Sequence, residues 1–147
     1  MEAIRHRVGI AVPRETVHET LTTTGGLEGF WTRTLEGDPK EGGTLRFFFG
    51  GPDASAEMKV VEDGPGRVVW ECTGGPAEWV GTTLTFDLQE ADGETVVLFT
   101  HGGWREPVPF LHHCTTKWGV FLLGMRTWLQ GGAPGSFPDD PAISGWG

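Results

Sequence analysis

Tyrosine is absent from the 147-residue sequence, and cysteine occurs only twice, as Cys72 and Cys114. The two cysteines lie in hydrophobic contexts without CxxC spacing, which favours two buried thiols over a disulfide framework or a zinc knuckle. We therefore predict that both are reduced, as in a cytoplasmic protein. Residues 1–6 include charged side chains and lack the apolar run of a signal peptide, so export is not expected.

Basic residues are also few. The sequence has 11 lysines and arginines against 20 aspartates and glutamates, which gives a formal net charge of −9. Without a basic cluster, such a chain repels nucleic acid and anionic membrane surfaces, and neither is expected as a partner. Membrane insertion is not expected either, because residues 107–132, the longest apolar segment, are interrupted by His112, His113, Lys117 and Arg126.

Sequence motifs for cofactors and metals are missing as well. No GxGxxG or GxxxxGK pattern is present, and no HExxH or paired CxxC accompanies the adjacent His112, His113 and Cys114. Neighbours on a helix diverge by about 100° around its axis, so these three side chains cannot all face one ion. We predict no cofactor and no metal, and we interpret Cys114 as a core residue, since nothing nearby would activate it.

The clearest pattern that is present lies near the C-terminal end of the chain. Apolar residues recur there at intervals of three and four, which predicts an amphipathic helix from about residue 109 to 130. Pro109 suits the first turn and Gly131 the end of such a helix. We expect Lys117, Arg126 and Gln130 on its exposed face. The buried stripe consists of Leu111, Cys114, Trp118, Phe121, Leu122, Met125 and Leu129.

Six segments before this helix alternate between apolar and polar residues, as strands with one buried face do. Two short helical patterns follow the first of them, and Asp92-Gly93 indicates a hairpin between the last two. An antiparallel sheet with one apolar face needs a cover, which only the long helix can provide. The sequence predicts an α+β fold, with a curved six-stranded antiparallel sheet around the C-terminal helix. Residues 1–132 are expected to form one domain, and residues 133–147 an irregular tail rich in proline and glycine.

Specific residues in this order have the spacing of a known family. In the first half they are Ile4, Val8, Ile10, Pro13, Val17, Leu21, Thr22, Gly29, Trp31, Thr32, Gly42, Gly43, Leu45, Phe47 and Phe49. In the second half they are Trp70, Glu78, Trp79, Gly81, Thr82, Leu84, Phe86, His101, Gly103, Trp104, Cys114, Trp118, Leu122 and Leu129. The pattern resembles the START-like (SRPBCC) superfamily of helix-grip proteins, and within it the AHSA-type branch, named after activators of the heat-shock chaperone ATPase.

The resemblance covers residues 1 to about 134. It departs from the family at Phe30, where a tryptophan is expected beside Trp31, and in the tail, which has no family role. The chaperone activators also carry a separate domain that grips the chaperone, for which this chain has no room. The family name is therefore not expected to describe the activity.

A curved sheet around a long helix often leaves an apolar cavity, the usual form of a small-molecule site. Seven tryptophans and nine phenylalanines could line or fill it. We predict that a small hydrophobic or amphipathic molecule binds there, with His101 as its polar anchor. The predicted lining residues are Phe47, Phe49, Met58, Trp70, Phe86, Phe99, His101, Trp118, Phe121 and Met125.

Two other functions stay open at this point. An enzyme similar to the cyclases and hydratases of the superfamily would use His101 as an acid or base, although the sequence supplies no assured partner for it. A chaperone-related interaction module would use an exposed apolar patch, for which Trp146 is the only indication. Glu71 and Glu78 are expected to face solvent, because an unpaired glutamate is seldom buried. A homodimer is a further open expectation.

Overall fold

A seven-stranded antiparallel sheet forms the larger layer of the protein, in a computed structural model that describes residues 1–51 and 53–147. Its strands lie in the order β1-β7-β6-β5-β4-β3-β2. The strands are β1 Glu2–Ile10, β2 Thr34–Gly37, β3 Thr44–Phe48, β4 Ser55–Gly64, β5 Arg67–Gly74, β6 Thr83–Ala91 and β7 Glu94–Trp104. The helices are α1 Arg14–Thr22, α2 Thr24–Phe30 and α3 Pro109–Leu129. The predicted α+β architecture, with two short helices after the first strand, is confirmed.

Strands β2 to β7 form a meander, and β1 returns to pair with β7. The hairpin predicted between β6 and β7 turns at Asp92 and Gly93, whose φ angles of 49° and 82° are the left-handed values of a tight primed turn. The sheet has one strand more than the six predicted. The additional strand, β2, has mostly exposed side chains and therefore no apolar alternation from which it could have been found.

Helix α3 begins and ends within one residue of the predicted bounds, with Pro109 in its first turn. The predicted stripe is buried except for Leu129, which is partly exposed. Arg126 and Gln130 are exposed as expected. The expectation that Lys117 is exposed was wrong, since its side chain is only 16% exposed. The reason is that the segment after the helix folds back over Lys117.

Aromatic rings fill the space between the middle of α3 and the sheet. Trp118 on α3 lies 5.0 Å from Trp31 and 4.7 Å from Phe99, measured between ring centroids. Trp31 in turn lies 4.5 Å from Phe47. The largest fully buried side chains are Trp31, Trp70, Trp104, Trp118, Phe30, Phe47, Phe86 and Phe99. The sequence could not tell a lined cavity from a filled one, and this region is filled.

The chain after Leu129 contains no helix or strand, and its first part is anchored to the domain. Ser136 is fully buried, and its hydroxyl donates to the carbonyl of Glu28 at 2.5 Å. The Phe137 amide donates to the carbonyl of Trp31 at 2.8 Å, and the Arg33 amide donates to the Phe137 carbonyl at 3.1 Å. The tail is thereby fixed beside the end of α2. No helix within the described residues is long and apolar enough to span a membrane.

Candidate ligand-binding groove

An open groove of about 650 Å³ lies between the first half of α3, the loops at one end of the sheet, and the tail. This volume is within the range of about 300–1,000 Å³ that small-molecule sites occupy. Most of its wall is aromatic. The aromatic side chains that line it are Trp31, Phe49, Trp79, Phe110, Phe121, Phe137 and Trp146.

Three parts of the fold bring most of these side chains together, and Trp31, directly after α2, adds to them. Helix α3 contributes Phe110, His113, Lys117 and Phe121, which recur at intervals of three and four and form a second stripe beside the buried one. The loops at the end of the sheet contribute Phe49, directly after β3, and Trp79, between β5 and β6. The tail closes the third side. The Phe137 ring packs edge-on against Phe49, with centroids 5.7 Å apart.

Lys117 is the only lysine or arginine among the described residues that line the groove. Its Nζ forms an ion pair with the carboxylate of Asp140 and donates to the carbonyl of Pro141 at 2.8 Å. The ammonium group also lies 5.6 Å from the centroid of the Phe121 ring, within cation–π range. The Asp140 side chain is only 5% exposed. The groove therefore contains a largely desolvated ion pair that joins α3 to the tail.

His113 and Trp146 form a second contact between α3 and the tail. The His113 Nδ1 lies 3.2 Å from the hydroxyl of Ser144, and the ring stacks on Phe110. Trp146 packs edge-on against His113 at 5.6 Å while 64% of its surface stays exposed. Burial and the charge of Lys117 lower the pKa of His113. A lowered pKa favours the neutral imidazole, and Lys117 is the cationic side chain among the described residues of the groove.

His101 lies in the aromatic core, away from the groove, and is completely buried. Its Nδ1 accepts from the indole N–H of Trp118 at 3.1 Å, so the ring proton is on Nε2, which donates to the Thr82 hydroxyl at 2.8 Å. That hydroxyl donates to the Trp79 carbonyl at 2.5 Å. Burial lowers the pKa of His101 to about 3. Both ring nitrogens form hydrogen bonds and the ring stays neutral. His101 therefore connects Thr82 and Trp118 within the core.

Both cysteines are free and buried, as predicted. Burial raises the pKa of the Cys114 thiol to about 12, and it raises the pKa of the Cys72 thiol as well. Cys114 borders the groove, but a thiol that remains protonated at neutral pH is a poor nucleophile. Within the described residues, no group of three His, Cys, Asp or Glu side chains is placed to hold a metal ion.

Of the ten side chains predicted to line a binding site, Phe49 and Phe121 line the groove. The other eight lie in the packed interior and are buried. They are Phe47, Met58, Trp70, Phe86, Phe99, His101, Trp118 and Met125. Their role as ligand contacts stays a prediction. Glu71 and Glu78 are exposed, as expected.

Several residues of the groove were not predicted, above all Phe110, His113, Lys117 and Phe137. The spacing of the first three is visible in the sequence. His113 and Lys117 are polar, however, and polar side chains at this spacing normally indicate a helix face that is exposed to solvent. Phe137 and Asp140 lie in a segment without periodicity, so no local pattern indicates where they pack.

A curved antiparallel sheet, a long C-terminal helix and an apolar groove at the open end together define a protein of the helix-grip class. The chain belongs to the family described as Activator of Hsp90 ATPase homolog 1-like protein, whose model matches residues 11–130. The predicted relationship to the AHSA-type branch is thus confirmed. The match ends before the segment that covers Lys117.

Solved structures are similar over most of the chain. The Aha1 dimer from Colwellia psychrerythraea is 37% identical, with 90% of this chain and 98% of that chain covered and a TM-score of 0.82. SSP2350 from Staphylococcus saprophyticus is 23% identical over 90% and 95% of the two chains, with a TM-score of 0.73. CalU16 from Micromonospora echinospora is 17% identical over 97% and 74%, with a TM-score of 0.77. No curated protein gives a significant match.

Proposed function

We propose that the protein binds a small, mostly apolar molecule in the groove between α3, the end of the sheet and the tail. The observation that carries this proposal is the aromatic wall around an open volume of about 650 Å³. Most of the other aromatic side chains are packed ring against ring in the core. The groove rings instead border open space, where a ligand could replace water.

The apolar wall alone supplies only part of the affinity. A ligand that buries about 300 Å² of apolar surface gains about 7.5 kcal/mol, at about 25 cal/mol per Å². Association costs about 4–15 kcal/mol in lost translational and rotational freedom, so apolar burial and this cost are of similar size. Shape complementarity and a polar contact are therefore needed for tight binding, and Lys117 is the charged group available for it.

Binding without catalysis agrees best with the states of the titratable groups. The Cys114 thiol, with a pKa of about 12, and the His101 imidazole, with a pKa of about 3, are both held neutral. His101 would also have to break its two hydrogen bonds, with Thr82 and Trp118, before it could act on a substrate. In the groove, His113 contacts the Ser144 hydroxyl and Lys117 is paired with Asp140, so both side chains are engaged by the tail.

The proposal can be tested with 1-pyrenebutanol, a neutral aromatic probe that accepts energy from tryptophan. Titration should give saturable energy transfer, because Trp31 and Trp79 line the groove. Phe110→Ala removes part of the wall and should weaken binding about fivefold to tenfold, as expected for one lost aromatic contact. The matched control is Leu123→Ala, which removes an exposed apolar side chain of α3 that does not line the groove.

Equal binding by Phe110→Ala and the wild type would contradict this location. Native mass spectrometry of protein purified from its own cells, followed by lipid extraction, should identify the natural ligand. Contact with a chaperone, to which the family description refers, remains a second prediction, and exposed Trp146 is the residue that supports it.

A further inference from the structure

We infer that the ligand of the groove carries a single carboxylate, which takes the position beside Lys117 that Asp140 occupies in this structure. This inference rests on the proposed function of the groove and specifies the class of ligand. It depends on three features of the structure, namely the surroundings of Lys117, the weak attachment of the distal tail, and the distribution of charge around the groove.

The Lys117 ammonium group is surrounded by partners that resemble one end of an amphipathic acid. Asp140 supplies a carboxylate, Pro141 supplies a carbonyl, and the face of Phe121 lies beside the charge. The exposed fractions of the two ionised side chains are 16% for Lys117 and 5% for Asp140, so water solvates this ion pair poorly. A carboxylate is therefore the group that the site already accommodates.

The segment that holds Asp140 is attached less firmly than the part of the tail before it. Ser136 is fully buried, and Phe137 forms backbone hydrogen bonds with the domain. Beyond them nearly every residue is exposed. The contacts of this distal part to the domain are polar ones, namely Arg33 with Asp139, Lys117 with Asp140 and Pro141, and His113 with Ser144, together with the edge-on packing of the largely exposed Trp146 on α3. The distal tail can therefore detach without opening the core.

Exchange of one carboxylate for another conserves the buried ion pair. If a neutral ligand displaced the tail and covered Lys117 in its place, the ammonium group would be desolvated without a counter-ion, which is strongly unfavourable. A ligand with its own carboxylate replaces Asp140, and its apolar body then contacts the aromatic wall. Asp140 thus neutralises Lys117 and disfavours neutral molecules that need the position it occupies.

The remaining charges limit the ligand to one negative group. Asp53 also lines the groove and is exposed at its edge, and the whole chain carries a formal net charge of −9. A second anionic group would be repelled by Asp53 and would find no other lysine or arginine among the groove residues that the structure describes. The chemistry thus fits a flat aromatic or aliphatic monocarboxylate.

The experiment compares 1-pyrenebutyrate with 1-pyrenebutanol, which share the same aromatic body and differ in the carboxylate. The measured quantity is the ratio of their dissociation constants, from tryptophan-to-pyrene energy transfer. Asp140→Asn removes the competing charge and should increase the affinity for 1-pyrenebutyrate about tenfold while that for 1-pyrenebutanol changes little. Lys117→Gln should abolish the preference for the carboxylate.

Asp139→Asn is the matched control, because Asp139 is the neighbouring tail acid but pairs with Arg33 instead of Lys117. It should change the affinities for both probes equally or not at all. Thermal melts establish that each variant is folded. If Lys117→Gln does not fold, wild type and Asp140→Asn still decide the question, since the predicted gain for the carboxylate needs only these two.

The outcomes separate this inference from the proposed function. If 1-pyrenebutyrate and 1-pyrenebutanol have equal affinities for the wild type, and again equal affinities for Asp140→Asn, the groove binds apolar molecules. The inference that the ligand carries a carboxylate is then overturned. If neither probe binds to any variant, the proposed function fails and the inference fails with it. A carboxylate preference that increases in Asp140→Asn and disappears in Lys117→Gln supports both.

Discussion

At the scale of single residues, His101 is the side chain whose pKa lies furthest from its ordinary value. An imidazole usually titrates near neutral pH, but His101 has a folded-state pKa of about 3 because burial excludes the water that would solvate its charge. Its neighbours Thr82 and Trp118 are uncharged hydrogen-bond partners. The residue that the sequence suggested as a polar anchor thus links β7 to α3 and to Thr82, directly before β6.

This pKa predicts how stability depends on pH. The unfolded chain binds a proton at His101 below about pH 6.5, whereas the folded protein does so only near pH 3. Stability should therefore decrease as the pH falls from about 6.5 towards 3, with a contribution from His101 of about 2 kcal/mol between pH 7 and pH 5. Urea unfolding at these two pH values measures it, in a range where most carboxylates stay ionised.

The variant His101→Gln should lose less stability between pH 7 and pH 5 than the wild type, whatever its absolute stability. His112→Gln, which replaces an exposed histidine, serves as the control and should behave like the wild type. The assignment would be refuted if His101→Gln and the wild type lost the same free energy of unfolding over this interval.

At the scale of elements, the two short helices pack unusually closely. Gly26 lies in α2, and a Cβ atom there would overlap the backbone of Thr20 in α1. At Gly25, one residue earlier in the same helix, a Cβ would meet no atom within 4 Å. Two adjacent glycines therefore have different structural roles, which the sequence alone cannot separate.

We predict that Gly26→Ala destabilises the protein by about 1–3 kcal/mol, the usual cost of forcing extra volume into a packed contact. Gly25→Ala should instead be neutral or stabilising by up to about 1 kcal/mol, because alanine restricts the unfolded chain and fits the helix. Chemical denaturation of both variants tests this pair. Equal effects at the two positions would mean that the backbones of α1 and α2 can separate at little cost.

Helix α3 has one buried face that could be predicted from the sequence and a second face that could not. Its buried stripe followed directly from residue spacing, and its bounds were predicted within one residue. Its second stripe, through Phe110 and Lys117, was not recognised, since a lysine on a helix normally faces water. The difference arises from Asp140 and Pro141, which cover Lys117 from a distant part of the chain.

At the scale of the whole molecule, self-association is the remaining expectation. The similar structure from Colwellia psychrerythraea is described as a dimer and is 37% identical to this chain. For this chain the homodimer stays an expectation, and it would have a molar mass near twice the 16.0 kDa of one chain. Size-exclusion chromatography with light scattering over a range of concentrations measures this. A constant mass of one chain at all accessible concentrations would contradict the prediction.

The sequence by itself determined the features that depend on local periodicity. Alternation along the strands, the hairpin at Asp92-Gly93 and the stripe of α3 were sufficient for the α+β fold, and specific residues along these elements carried the family resemblance. These patterns arise because each strand or helix must bury one face, and that requirement acts on residues two to four positions apart.

Only the tertiary structure decided which aromatic side chains fill the core and which border open space. Trp31 contacts the tail at Phe137, and Lys117 meets Asp140, through pairings across turns and irregular segments that leave no periodic signal. The site forms where α2, α3, the loops of the sheet and the tail converge. Its location and its charge are therefore properties of the folded chain, because they depend on contacts between residues that are distant in sequence.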